Sequence, residues 1–139
     1  MTLSALAVAA AAGRSTPLVV ISIAGLRPDD VRDARRRGLH LAHLERLARE
    51  GAQARLVGVG PTGTRPSHTT LVTGVAPDRH GIAHDQPFDP LGRSGDGGYW
   101  YAEDIRVPTL WDAARGRGLS AASVDWPVTV GAEIGYNIA

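Results

Sequence analysis

The sequence predicts an α/β fold with a mostly parallel central sheet and flanking helices. Residues 17–25, PLVVISIAG, form a continuous β-branched run closed by glycine, the pattern of a strand buried on both faces. An amphipathic segment follows at 39–50, and short apolar runs return at 52–60 and 120–127 between helical patterns and Gly-rich turns. Strand, helix, strand, helix, strand in that order is the signature of parallel pairing with helical covers.

Each element has its own justification. In LHLAHLERLARE, residues 39–50, Leu41, Leu44, Leu47 and Ala48 fall on one helical face, and Gly51 supplies the stop. AQARLVGVG, 52–60, is the second expected strand, weakened by its glycines. TTLVTG, 69–74, is long enough for a turn or two of helix ending at Gly74. Residues 75–98 are dense in Gly, Pro and Asp and predict loop, with room for a small hairpin. VPTLWDAARGRG predicts a helix that starts at Pro108 and Thr109 and stops at Gly116 or Gly118. SAASVDWP, 120–127, is the third expected strand, and no internal repeat is present.

A chain of 139 residues suffices for one domain with a core, on the small side for a wide α/β sheet. Its 15 Lys+Arg against 14 Asp+Glu give a net charge of +1, so no global field recruits nucleic acid or an anionic membrane. Arg35-Arg36-Arg37 is the one tight basic run and reads as a solvated face. With no cysteine, disulfides and thiolate metal sites are excluded. Residues 1–16 open with the small apolar run MTLSALAVAAAAG, too short to span a bilayer and without a charged n-region. It is a signal-peptide remnant or an Ala-rich lead-in to a domain over 17–139, which sets the expected location as periplasmic or secreted, otherwise cytoplasmic. No later stretch reaches the ~18 apolar residues of a spanning helix.

The chemistry concentrates in GPTGTRPSHTTLVTG, residues 60–74, with five threonines in one short stretch. In an open α/β sheet, loops at the carboxyl ends of strands lead into helix N-termini and carry the site. Both Ala24-Gly25 and the segment 61–67 fall at such an edge. Pro66 suits a first helical turn, which places Thr64 just ahead of it. The partial positive charge there favours anions and a developing alkoxide, so Thr64 is a candidate nucleophile toward phosphorus. A threonine hydroxyl needs a base or a metal to react. The competing reading is that Thr62 and Thr64 are turn residues bonding nearby backbone. A P-loop is excluded, since GPTGTRPS has no lysine at the required place.

VVISIAGLRPDDV, PTGTRPSHTTLVTGVAPDRHGI, PFDP, YWYAEDIRVPTLWDAARGRGL and SVDWPVTVGAEIGYNI together resemble the type I phosphodiesterase / nucleotide pyrophosphatase family of the alkaline phosphatase superfamily. The resemblance is ordered and runs from residue 18 to 138. It implies the N-terminal portion of an alkaline-phosphatase-like α/β core, two zinc ions, a nucleotide or other phosphodiester as substrate, and a threonine that forms a phosphoenzyme. Thr64 matches the nucleophile of the pattern P-T-x-T-x-P and would bridge to metal. Where the family run is S-I-D-G with a zinc-ligating aspartate, this chain reads SIAG, with Ala24. Where the family has an asparagine on phosphate soon after H-G-I, the best match is Asp85. Arg65 replaces the usual aromatic residue beside the nucleophile. It either contacts phosphate or points into solvent, and the sequence favours solvent.

These departures are chemical. A methyl in place of a carboxylate removes one donor from a site that needs about four. A carboxylate in place of an amide repels phosphate oxygens. The family's remaining ligands, Asp-x-x-x-His, an Asp-His pair and a further His, lie beyond the segment matching GYNI, so a truncated and inactive or strongly impaired chain is expected. His40 and His43, or His80 and His84, form two-residue sets too small to hold zinc. His68 and His80 match family positions and are expected to satisfy local backbone. Trp111 and Trp126 are expected in the core. Three functions compete: a zinc-dependent phosphodiester or pyrophosphate hydrolase, a silent anion-binding remnant, and a chain whose exposed sheet edge a partner covers.

Overall fold

Where the chain holds regular structure, caps and glycines set the limits. In a computed structural model that describes residues 16–91 and 97–139, the chain divides into two compact units, Met1–Ala54 and Arg55–Ala139. The lead-in at 1–15 and any hairpin turning through 92–96 lie outside the described residues.

In the first unit, α1 spans Pro28–Arg32 with Pro28 in its first turn, where its missing N–H costs nothing. The Asp30 carboxylate accepts from the Arg27 backbone N–H at 3.1 Å and from its guanidinium. Those bonds hold its pKa down at about 2. Arg35–Arg37 form a short 3₁₀ turn closed by Gly38, whose φ of +75° a side chain would strain. Arg35 pairs with Glu45 and Arg37 with Asp30, so the basic run is an exposed ion-pair face. α2 runs Ala42–Glu50 and ends at Gly51, as the periodicity predicts. Its inward face is only half-buried at Leu44 and Ala48, and Leu47 is exposed.

The strands expected at 17–25 and 52–60 do not form. Neither segment is assigned to a strand, and Leu18 and Ile21 are 73% and 78% exposed. Apolar, β-branched composition supplies propensity, but a strand exists only when a neighbour takes its N–H and C=O groups. Among the described residues neither run belongs to the sheet, which holds β1 and β2 alone.

The second unit holds the sheet. β1, Ala122–Val124, forms where SAASVDWP predicts it and pairs in parallel with β2, Tyr136–Ile138, a strand the sequence pattern did not signal. Ala122 aligns with Tyr136 and Val124 with Ile138. The intervening loop makes a tight return, with positive φ at Asp125 (+51°) and Val128 (+61°). The latter is unusual for a β-branched residue and is held by near-complete burial. A single parallel bridge joins Tyr101 to Val130 and ties the 98–101 segment to that loop. The described residues thus form an α/β unit with a two-stranded parallel sheet, less than the wide central sheet of an alkaline-phosphatase-like core.

α3 covers Thr64–Thr73 and ends at Gly74 in the left-handed conformation. It begins earlier than TTLVTG alone indicates, and Thr64 is its first residue rather than the residue ahead of it. α4, Pro77–His80, closes at Gly81 inside a segment expected to be loop. α5, Leu110–Arg115, is capped by Thr109, whose hydroxyl accepts from Asp112 N–H while the Asp112 carboxylate accepts from Thr109 N–H at 2.8 Å. Burial pushes the Asp112 carboxyl upward, but the Thr109 bonds and the Arg115 charge outweigh it and hold the pKa below the usual value. The core of this unit is small: Ile82 and His80 are fully buried, with Pro66, Thr69, Val128 and Thr129 around them.

No helix among the described residues is long and apolar enough to cross a membrane.

Candidate functional site at the head of α3

The threonines of 60–74 separate into two groups. Thr69 is buried, the Thr70 hydroxyl meets His80 Nε2 at 3.0 Å, and the Thr73 hydroxyl donates back to the Thr69 carbonyl at 2.7 Å. These pack α3 against α4. Thr64 is exposed, and its hydroxyl makes no hydrogen bond among the described residues.

His80 is locked by both nitrogens. Nδ1 accepts from Ile82 N–H at 3.1 Å, so the proton sits on Nε2, which donates to Thr70. Burial lowers the His80 pKa below 6.5 against the opposing charge of Asp78. With both of its nitrogens engaged, His80 leaves no lone pair to share a metal with the exposed His84. His68 Nδ1 donates to the Thr64 carbonyl at 2.7 Å, which fixes its ring, and that ring stands edge-on to Trp126 at 5.1 Å. Both histidines therefore satisfy local groups, as expected. His40 precedes α2 and His43 lies on it, both exposed.

The head of a helix leaves N–H groups without intrahelical partners. Here every residue from Thr64 to Ser67 is accounted for. Asp85 Oδ2 accepts from Thr64 N–H at 3.3 Å, and Oδ1 accepts from Arg65 N–H at 2.7 Å. Pro66 has no N–H, and Ser67 N–H bonds the Gly63 carbonyl at 3.1 Å. The carboxylate comes this close because residue 63 is glycine: a Cβ there would lie 2.8 Å from Oδ2.

Arg65 does not point into solvent. Its Nε donates to the Tyr99 carbonyl at 2.9 Å and its Nη1 to the Asp85 carbonyl at 3.0 Å, with the guanidinium 4.5 Å over the Trp100 ring. A planar fork with fixed donors can serve two carbonyls and an aromatic face at once. Gly98 makes room, since a Cβ at that position would meet the guanidinium at 2.5 Å. Trp100 was not legible as a site residue, because its placement depends on the bridge between Tyr101 and Val130.

Thr64, Arg65 and Asp85 share the wall of an open cavity of about 410 Å³ with Trp100, Trp126 and the strained Val128. Trp126 is thus a wall of this cavity rather than pure core, and its buried Nε1 has no hydrogen-bond partner among the described residues. Trp111 is half-buried away from it. Ala24, exposed in the other unit and followed by Gly25 at φ +75°, presents only a methyl. No three His, Cys, Asp or Glu side chains converge as metal ligands among the described residues, so this donor set does not fit a two-zinc centre.

Thr64 of P-T-x-T-x-P, the first residue of α3, and Asp85, three residues after H-G-I, thus lie on the wall of one cavity. Residues 18–138 match the family model described as type I phosphodiesterase / nucleotide pyrophosphatase, nearly the whole chain, and the protein belongs to that family.

Proposed function

We propose that the site around Thr64 derives from a zinc-dependent hydrolase of phosphodiester and pyrophosphate bonds, with a nucleotide or similar small phosphodiester as its substrate class, and that in this chain it is silent or strongly impaired. The observation that carries the reading is the Thr64 hydroxyl: Thr64 is the α3 threonine on the cavity wall, its hydroxyl makes no hydrogen bond among the described residues, and it stands at the head of a helix in a member of this family. In that role Thr64 Oγ attacks phosphorus in line, the bond to the leaving oxygen breaks, and water later releases the phosphoryl group from the threonine. The residues that would favour the developing charge are the Thr64 and Arg65 amides.

Two observations support impairment. A threonine hydroxyl is a poor nucleophile without a base or a cation beside it, and among the described residues no base hydrogen-bonds the Thr64 hydroxyl, Asp85 and His68 meeting only its backbone. Ala24 offers no oxygen where the family places a carboxylate ligand. Zinc, the family's expected metal, would supply nucleophile activation when bound, and among the described residues no three His, Asp or Glu side chains converge to hold it. Bound zinc per chain, measured together with hydrolysis of a chromogenic phosphodiester, tests the reading. Substoichiometric zinc and no turnover dependent on Thr64 are expected.

A second reading is favoured by exposed apolar residues in each unit, Leu18, Val19 and Ile21 in one and Leu56 and Val57 in the other. In that reading the chain is completed by another polypeptide that covers these runs. Sedimentation that stays monomeric and free of apolar-dye binding would contradict it.

A further inference from the structure

We propose that Asp85 is an internal surrogate for phosphate, an autoinhibitory carboxylate that holds the two amides a phosphoryl group would use. This deepens the reading of Thr64 as the nucleophile position and rests on it. An anion at a helix head needs free N–H donors, and α3 has none to offer: Thr64 and Arg65 give theirs to the two Asp85 oxygens, and Pro66 contributes none. The occupant is anchored from behind as well. The Asp85 carbonyl accepts from Arg65 Nη1 at 3.0 Å and from Tyr99 N–H at 3.3 Å, and Gly63 and Gly98 leave the space that the carboxylate and guanidinium fill. The same side chain lines the cavity beside Thr64, so a phosphoryl group entering there meets a like charge already seated on its donors.

The chemistry separates Asp85 from the amide it replaces. A carboxylate accepts at both oxygens and satisfies both N–H groups together. An asparagine accepts at one end and donates at the other, so it leaves one backbone N–H free and adds a donor of its own. Asp85→Asn therefore converts a filled site into an anion site with almost no change in volume. Gly63→Ala does so by another route: its Cβ displaces Oδ2 while the charge stays, and φ −76°, ψ 166° at position 63 suits alanine.

Inorganic phosphate is the probe, titrated into the ¹⁵N-labelled protein while the Thr64 and Arg65 amide resonances are followed. In the wild type these two resonances are expected to stay still. In Asp85→Asn they move and the affinity for phosphate rises about tenfold or more, since the cost of expelling the carboxylate is gone. Gly63→Ala moves in the same direction. Resonances that shift in the wild type as strongly as in Asp85→Asn would overturn the proposal, as would folded Asp85→Asn or Gly63→Ala protein with no gain. Should Asp85→Asn fail to fold, Gly63→Ala and the wild-type titration decide. Phosphate binding needs no turnover, so failure here leaves the assignment of Thr64 intact. Conversely, turnover that depends on Thr64 in the wild type would refute the silent reading, and the two failures stay distinct because only the amide titration reports whether Asp85 keeps its seat.

Discussion

Arg65 and Asp85 are joined twice, by the Arg65 backbone N–H on the Asp85 carboxylate at 2.7 Å and by the Arg65 guanidinium on the Asp85 carbonyl at 3.0 Å. The two contacts close a loop of twenty residues onto the head of α3, and they do so beside the one α3 threonine that faces the cavity. At these two positions the sequence resemblance implies an aromatic residue and an asparagine instead.

Arg65 holds two carbonyls and the Trp100 face through one planar group. Lysine has the charge but a single ammonium and no fork, so Arg65→Lys is expected to lose nearly as much stability as Arg65→Ala, about 1–2 kcal/mol. Urea unfolding of the two variants, with Trp fluorescence as the probe, checks this. A lysine variant as stable as the wild type would mean that charge alone matters there.

The His80 imidazole is neutral and buried, with Nδ1 accepting and Nε2 donating. Burial lowers its folded pKa below the unfolded value of 6.5, so the unfolded chain takes up the proton first as pH falls. Its contribution is thus fully present above pH 6.5 and is lost as pH drops through 6.5 toward the folded value. The urea midpoint is expected to decline over that window in the wild type and to flatten in His80→Gln.

Thr109 and Asp112 cap α5 reciprocally, and the cap is readable in the sequence. Thr109→Ala is expected to cost about 1 kcal/mol, seen as a lower Tm. Because the Asp112 pKa is held down in the folded chain, its share of the stability is present at neutral pH and fades as acid brings the pH down through that lowered value.

Ala24→Asp adds one carboxylate oxygen donor where about four are needed. With no other convergent ligands among the described residues, this variant is expected to bind zinc no better than the wild type by equilibrium dialysis. Stoichiometric zinc in Ala24→Asp would show that the remaining donors are already in place.

What the sequence revealed, and what it hid, follows from range. α2, α5 and β1 were legible because their determinants are local: a 3.6-residue stripe ended by Gly51, a Thr109–Asp112 cap, a short β-branched run. The helix entrance near Thr64 was legible through Pro66 and the motif around it. The strands at 17–25 and 52–60 were misread because strandedness belongs to a pair, and the partner of β1 is β2, whose YNI gave no signal of its own. Arg65 was misread as solvent-facing because its partners, Asp85, Tyr99 and Trp100, lie twenty or more residues away and are delivered by the Tyr101–Val130 bridge. Asp85 was legible as a chemical anomaly, but its seat on two specific amides depends on Gly63, which no pattern marks.

The most direct test is hydrolysis of a chromogenic phosphodiester by the wild type and Thr64→Ala in the presence of added zinc, with bound metal measured on the same samples. The account predicts less than one tightly held zinc per chain and equal background rates in both proteins. Two zinc ions per chain, with a rate that disappears on Thr64→Ala, would contradict it.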